Sequence, residues 1–458
     1  HLYGPKIICR REMSAAVSEI TVRRGKMNKN KKFKRLFAIG MAAAILATGC
    51  SGGKSEDASG GSSAKADKKT IKWLHHYSED STRKWIEEIT RQYTEETGVE
   101  FDIQAVSYDE YQTLLKAKIA SDDAPDLFDL TASDLKQFKE NGYVEDLSGA
   151  EFWDNLIESA KESSKVDGVN YFMPFEANAS AAYYNAEVFE KAGITELPET
   201  YTEFIDVLKK LEGSGVVPIA FGAQEAWTIT NDYRADMLQQ VLGENPDWMK
   251  DLEARDAKFA DDKTFLETLE KFKERHNYGN KEQFGTDWNK ATEMVATGEA
   301  AMVINGSWSI SAIQEKNPDV EIKCFPVPAT EKPEDTRLTT WSGDGFVVYS
   351  GSEVKQEVMD FLKVMTGQES GNIWQNDAKR LSVIKDLPEA ADPALGEISA
   401  YMNEGKLFDV SSMQNEFTGE YYDANVEILT KYLLGEIKTP EDAAAALDKK
   451  FDEIQSRQ

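Results

Sequence analysis

Thr70-Ile71-Lys72-Trp73-Leu74, residues 99–106 and Asp126-Leu127-Phe128-Asp129-Leu130 are three strand-like runs. Two stretches of helical periodicity separate them. Residues 83–97 carry Trp85, Ile86, Ile89 and Tyr93 along one face and stop at Gly98. Residues 108–120 carry Tyr111, Leu114, Leu115, Ala117 and Ile119. Strands alternating with amphipathic helices predict βαβ units, because a crossover helix is what lets successive strands pair in parallel. The expected class is α/β, with mostly parallel sheets flanked by helices.

Working outward, the alternation recurs. A helix over 201–211 precedes a buried strand at 215–221, and a helix over 290–297 precedes a strand at 300–304. Further strands are expected at 321–325 and 345–349, and helices at 354–366, 424–434 and 440–455. So many strands need more than one sheet, and a single core stops growing near roughly 250–300 residues, so two lobes are expected. Residues 184–193 read as a short helix ended by glycine. Thr200 and Glu203 form a capping box for the helix that follows Pro198. Asn305-Gly306-Ser307 turns the chain after a strand and presents Trp308 at the strand's carboxyl end, where open α/β sheets bind ligands.

The 458 residues carry a formal charge of -28, unevenly spread. Eleven of the 53 basic residues but two of the 81 acidic ones lie in 1–49, leaving 50–458 negative by 37. So acidic a body repels phosphate backbones, so nucleic-acid binding is not expected. Its plainest role is solubility. The three cysteines, Cys9, Cys50 and Cys324, form no C-x-x-C or zinc spacing. Cys324, in the apolar run 320–328, reads as a buried and unreactive thiol.

Residues 29–35 are basic, 37–47 are apolar but too short to span a bilayer, and Leu46-Ala47-Thr48-Gly49-Cys50 follows. Small residues before a cysteine resemble the bacterial lipobox, so 1–49 is read as a signal peptide together with an upstream segment, and Cys50 as the lipid acceptor. Met27 is a natural start for that signal, which makes 1–26 an upstream segment outside the protein proper. Residues 51–69, rich in Gly, Ser, Ala, Lys and Asp, would be a flexible tether with a reach on the order of 25 Å. The body is then anchored to the membrane without spanning it.

Catalytic patterns are missing from the sequence. The four histidines make no H-E-x-x-H, and there is no G-x-S-x-G or G-x-x-x-x-G-K-[ST]. Paired carboxylates are too abundant to single out a glycosidase pair. Aromatic residues are more telling. Nine Trp and seventeen Tyr are many for an acidic chain, and Trp227, Trp308 and Trp341 each sit beside polar residues in expected loops. An indole face stacks on the C–H patch of a pyranose while Asp, Glu, Asn and His bond its hydroxyls, which suits a neutral polyhydroxylated ligand.

Several segments carry a family resemblance. They are Ala124-Pro125-Asp126-Leu127, Met173-Pro174-Phe175, the run from Tyr183-Tyr184-Asn185 to Ala192-Gly193-Ile194, Pro198-Glu199-Thr200-Tyr201, Gly298–Trp308 and Phe325-Pro326-Val327-Pro328. In this order, behind a lipobox, they resemble the family 1 extracellular solute-binding proteins, the maltose, raffinose and multiple-sugar group. The resemblance implies a type 2 two-lobed binding-protein fold with several hinge crossovers and ligand held between the lobes. It places 70–176 in lobe 1, 177–337 in lobe 2, 338–385 in a return to lobe 1 and 386–458 mainly in lobe 2. The hinge would include 175–178.

The resemblance also implies the function: capture of a neutral sugar, an oligosaccharide by expectation, for an ABC importer. The partners would be permease subunits with a cytoplasmic ATPase. The protein would be an extracytoplasmic, lipid-anchored monomer and not an enzyme, with no cofactor or metal. Position by position, it offers His75, His76, Ser78 and Glu79 after the first strand, then Thr131 and Ser133. Glu176 and Asn178 fall in the crossover, followed by Trp227, Asp232, Trp308, Trp341 and Asp344. The tryptophan some members carry near the C-terminus is missing, with Phe417 or Tyr421 in its place. Another solute class (polyamine, anion or metal), a surface glycosidase, and a tethered scaffold or sensor partner without transport stay open as alternatives.

Overall fold

The computed structural model describes residues 68–77, 79–411, 413–414 and 416–457. The leader, Cys9, Cys50, most of the tether and Ser78 lie outside them.

Among the described residues, fourteen strands follow in chain order. They are β1 (Thr70–His75), β2 (Glu100–Ala105), β3 (Leu127–Leu130), the hairpin β4 (Lys165–Val166) and β5 (Val169–Asn170), β6 (Met173–Pro174) and β7 (Glu176–Asn185). Then come β8 (Val217–Ile219), β9 (Ala300–Asn305), β10 (Ile322–Phe325), β11 (Leu338–Ser342), β12 (Gly345–Val348), β13 (Leu381–Ser382) and β14 (Leu407–Asp409).

The first sheet runs β2-β1-β3-β12-β6. Its β1–β2 and β1–β3 pairs are parallel, as the opening βαβ pattern requires, with the helices Asp80–Thr97 and Tyr108–Ala120 as crossovers. β12 returns antiparallel to β3. The second sheet runs β14-β11-β7-β9-β8 and is organised by β7, a ten-residue strand that pairs antiparallel with β9, β10, β11 and β13. Its β8–β9 and β11–β14 pairs are parallel. The sheets are therefore mixed, not mostly parallel.

Two sequence expectations are corrected here. The strand ending at Asn185 occupies the start of the expected 184–193 helix, which is confined to Ala186–Lys191. The stretch 338–342, expected in the return to the first lobe, is β11 and pairs with Ala177–Ser180 of the second sheet. The return begins only at Gly345. By contrast, Thr200 and Glu203 form the full capping box at the start of the helix Tyr201–Gly213.

The chain passes between the sheets at three neighbouring places. Phe175 alone separates β6 from β7, Gly343-Asp344 separates β11 from β12, and residues 377–380 lead into β13, which pairs with Glu176 and Ala177. Beneath them lies an aromatic cluster. Trp85 stacks on Phe175 at 4.8 Å and meets Trp374 edge-on at 4.7 Å. Gly343 is required here, because a Cβ would collide with the side chains of Glu176 and Asn178. Cys324 is buried in the second lobe, and burial pushes its thiol well above its usual range.

Candidate functional site

A cavity of about 300 Å³ lies where the carboxyl ends of β1, β2 and β3 face the second lobe. This is the expected place for a ligand in an open α/β sheet. The first lobe contributes His76, Tyr77 and Glu79 after β1, Ser107 and Tyr108 after β2, and Thr131 after β3. Thr131 also caps the helix Ala132–Glu140, accepting a hydrogen bond from the Asp134 N–H at 3.2 Å. The backbone of Ser133 lies in that helix's first turn.

The second lobe supplies a wall of indoles. Trp227 meets Trp288 at 5.1 Å and Trp308 at 6.1 Å between ring centroids, and Trp308 meets Trp341 at 6.3 Å. Each pair is inclined by 60° or more, so the wall bends around the cavity instead of forming one flat platform. Trp308 follows β9 as the sequence predicts. Gly306 lets its ring lie against the backbone, since a Cβ there would overlap the indole. Trp227, however, opens a helix, Ala226–Glu244, and Trp341 lies within β11. The helix places Trp227, Asn231 and Arg234 on one face at spacings of four and three, and all three line the cavity.

Glu176, Asn178, Gly343, Asp344 and Arg380 form the floor at the crossovers. Buried Arg380 donates to Glu176 at 3.2 Å and to Glu79 at 3.0 Å. Burial nevertheless pushes the Glu176 carboxyl up to about 7, against the pull of Arg380. Glu416, 3.8 Å from Arg234, is likewise pushed up to about 7 by burial. The Asn178 carbonyl oxygen accepts from the Ser307 hydroxyl at 3.3 Å. Lining residues also carry buried polar atoms with no protein partner: the Tyr77 hydroxyl, the Trp288 indole N–H and Arg380 Nε.

Among the described residues, His76, Asp129 and Asp344 are a group whose potential metal-ligand atoms lie within 4.8 Å of one another. Their arrangement does not suit a shared ion. Asp129 bonds His76 Nδ1 and Asp344 faces Nε2 at 3.1 Å, so the carboxylates flank opposite edges of the ring. Burial disfavours a charged imidazole, but the two carboxylates outweigh it and hold His76 well above its ordinary range.

Four expected positions do not line the cavity. His75 points into the first-lobe core, since neighbours on a strand face opposite ways, and burial pushes it down to about 3. Asp232, one residue round the helix from Asn231, is buried against Arg275 at 3.3 Å and His276 at 3.1 Å. Phe417 and Tyr421 pack on Phe451, at 5.2 Å and 4.7 Å, in the C-terminal helical core. The loop before them offers Ser411, Met413 and Glu416 to the cavity instead.

The family model for bacterial extracellular solute-binding proteins matches residues 78–372. The chain belongs to this family. A multiple sugar-binding protein of Streptococcus mutans is 26% identical to it over 345 residues, 73% of this chain and 78% of that protein. The diacetylchitobiose binding protein DasA of Streptomyces coelicolor is 24% identical across 93% of this chain and all of its own length. Among solved structures, a chitin oligosaccharide binding protein superposes with a TM-score of 0.75 at 22% identity, covering 85% of this chain and 100% of its own. A Bacillus licheniformis sugar transporter protein in complex with stachyose gives 0.71 at 19% identity, covering 84% and 100%. The two-lobed architecture of this solute-binding protein is thus the fold of that group. Among its described residues no helix is long and apolar enough to cross a membrane.

Proposed function

We propose that this solute-binding protein captures a neutral saccharide, an oligosaccharide short enough to enter the cavity, and delivers it to an ABC permease. The observation that carries the reading is the bent wall of four indoles opposite a rim of hydroxyl, carboxylate and imidazole groups. Indole faces take the apolar patches of pyranose rings, and a few convergent polar groups choose among hydroxyl patterns. The names of its relatives, for a multiple-sugar and a diacetylchitobiose binder, point the same way.

The pairing of most lining carboxylates with cations supports a neutral ligand. Glu79 and Glu176 face Arg380, Asp344 faces His76, and Glu416 faces Arg234. A polyamine or metal ion would have to compete with cations already in place, whereas sugar hydroxyls add to oxygens that retain free lone pairs. Ligand spanning both lobes favours the closed form through its differential affinity for it. In this reading the protein acts outside the cytoplasm, held by a lipid on Cys50, binds without altering its ligand, and works as a monomer. Mass spectrometry of the cell-derived protein for a diacylglyceryl-cysteine tests the anchor.

The functional test is thermal stability in a panel of raffinose, stachyose, diacetylchitobiose, maltotriose, spermidine and calcium, the last with and without chelator. One or two saccharides should raise the melting temperature, and Trp308→Ala should remove that shift. A response to spermidine or calcium alone would overturn the proposal, as would shortened saccharide products on chromatography.

A further inference from the structure

Asp344 is the lining carboxylate with the least local support, since it stands between Gly343 and Gly345. Glycines leave the backbone free, so such a segment does not by itself fix a side chain. What fixes it is His76, whose Nε2 lies 3.1 Å from Asp344 Oδ2. The other ring nitrogen, Nδ1, is engaged by Asp129 Oδ2. A neutral imidazole has one N–H and one lone pair and can satisfy only one of two carboxylates; to donate to both it must carry both protons.

Asp129 is placed to enforce that state: burial raises its own carboxyl, and the charge and hydrogen bond of His76 pull it back down. It is 1% exposed on β3, outside the cavity lining, and its second oxygen is buried with no hydrogen-bond partner. Its backbone is locked by the Tyr111 hydroxyl, which donates to the Asp129 carbonyl at 2.8 Å and accepts from its N–H at 2.9 Å. The imidazole is caged by Tyr77 at 4.8 Å, Tyr108 at 5.0 Å and Tyr111 at 5.5 Å. Charged or titratable neighbours that also act on it include His75 on β1 and Glu176 on β7.

We propose that Asp129 is a positioning residue for ligand binding: it holds His76 as an imidazolium, which pins one oxygen of Asp344 and leaves the other to accept from a sugar hydroxyl. The inference rests on the saccharide reading for its ligand, but the relay itself is a property of the protein alone. Because the folded-state pKa of His76 is raised, the charged form persists through neutrality and is lost as pH rises through that value. Saccharide affinity should therefore be level from mildly acidic to neutral pH and fall in the alkaline range.

The test is an NMR titration of the histidine rings of the full chain, with His76→Gln to assign the signal. It is paired with calorimetric titration of whichever of raffinose, stachyose or diacetylchitobiose binds. Wild-type His76 should titrate well above the ordinary imidazole range, and Asp129→Asn should bring it down, because an adjacent opposite charge is lost. The alkaline fall in affinity should move down by the same interval. A wild-type His76 titrating near its ordinary value overturns the relay, whether or not the Asp129 variant folds. So does an Asp129→Asn protein whose affinity is reduced equally at every pH, which is what mere structural damage gives. If no saccharide binds, the functional reading fails while the His76 titration still decides the relay.

Discussion

On the first-lobe side of the cleft, lining side chains hang from loops after β1, β2 and β3, and the charged ones are tied to partners: His76 to Asp129, and Glu79 to Arg380, which also holds Glu176 in the crossover floor. On the second-lobe side the indoles of Trp227, Trp288, Trp308 and Trp341 stand on a helix start, a turn and a strand, and lean on one another. The first face is assembled at an electrostatic cost before any ligand arrives. The second is apolar surface whose burial, in the proposed reading, a ligand would complete. The difference predicts that substitutions on the polar side register chiefly in stability and pH dependence, and those on the indole side chiefly in affinity.

The largest effect is expected from Arg380→Ala. Arg380 is 4% exposed and stands between two carboxylates. Removing one partner of a buried ion pair leaves uncompensated charge and costs about 3–5 kcal/mol of stability. Chemical denaturation should show the loss. Should affinity collapse while stability holds, the polar face would be a contact surface and not a preassembled one.

Trp341→Ala comes next. Its indole lies 6.3 Å from Trp308 and under Arg234, whose guanidinium carbon is 5.6 Å from the ring centroid. Truncating an aromatic anchor in a closed site costs about 2 kcal/mol or more of binding, roughly thirtyfold. The melting temperature of the unliganded protein should change far less. Equal losses in both would erase the distinction between the faces.

A smaller effect concerns pH. Burial raises the Glu176 carboxyl to about 7 from its ordinary 4.5. With a raised folded-state pKa, its contribution to stability is complete below about 4.5 and is lost as pH rises through about 7, because the unfolded chain ionises first. Glu416 behaves alike, so the informative quantity is the difference between wild type and Glu176→Gln. That difference should move by roughly 1–3 kcal/mol between pH 4.5 and 7.5. A flat difference would mean that Arg380 keeps Glu176 fully ionised.

How much of this was legible follows from which face is local in sequence. His76, Glu79 and Thr131 directly follow strands, where the family resemblance offers them, and Trp308 follows a strand and a glycine, so the strand end by itself located Trp308. Arg380 and Glu416 reach the cavity through tertiary folding, and no nearby motif marks them. Trp288 had no motif either. Asn231 and Arg234 did leave a signal, since 227, 231 and 234 share a helical face, but reading Trp227 as a loop residue hid it and favoured Asp232, which the helix turns inward. The same one-residue offset explains Phe417, which packs into the core while Glu416 meets the cavity. The lobe boundary was misread because β11 completes the second sheet before the chain crosses.

The smallest expected effect is also the sharpest test of the contrast. The Tyr77 ring is 3% exposed and stacked on His76 at 4.8 Å, while its hydroxyl is buried without a protein partner. An unmet buried hydroxyl is a burden to the unliganded fold and becomes useful only when a hydrogen-bonding ligand enters. Tyr77→Phe keeps the ring and removes the burden. The melting temperature should hold or rise slightly, and saccharide affinity should fall by about 0.5–1.5 kcal/mol, the net worth of one hydrogen bond. This is the one polar-face substitution predicted to behave like an indole-face one. If Tyr77→Phe instead lowers stability and spares affinity, the hydroxyl belongs to the internal network with His76, and the sugar's hydroxyls must find their partners on Asn178, Asn231 and Asp344.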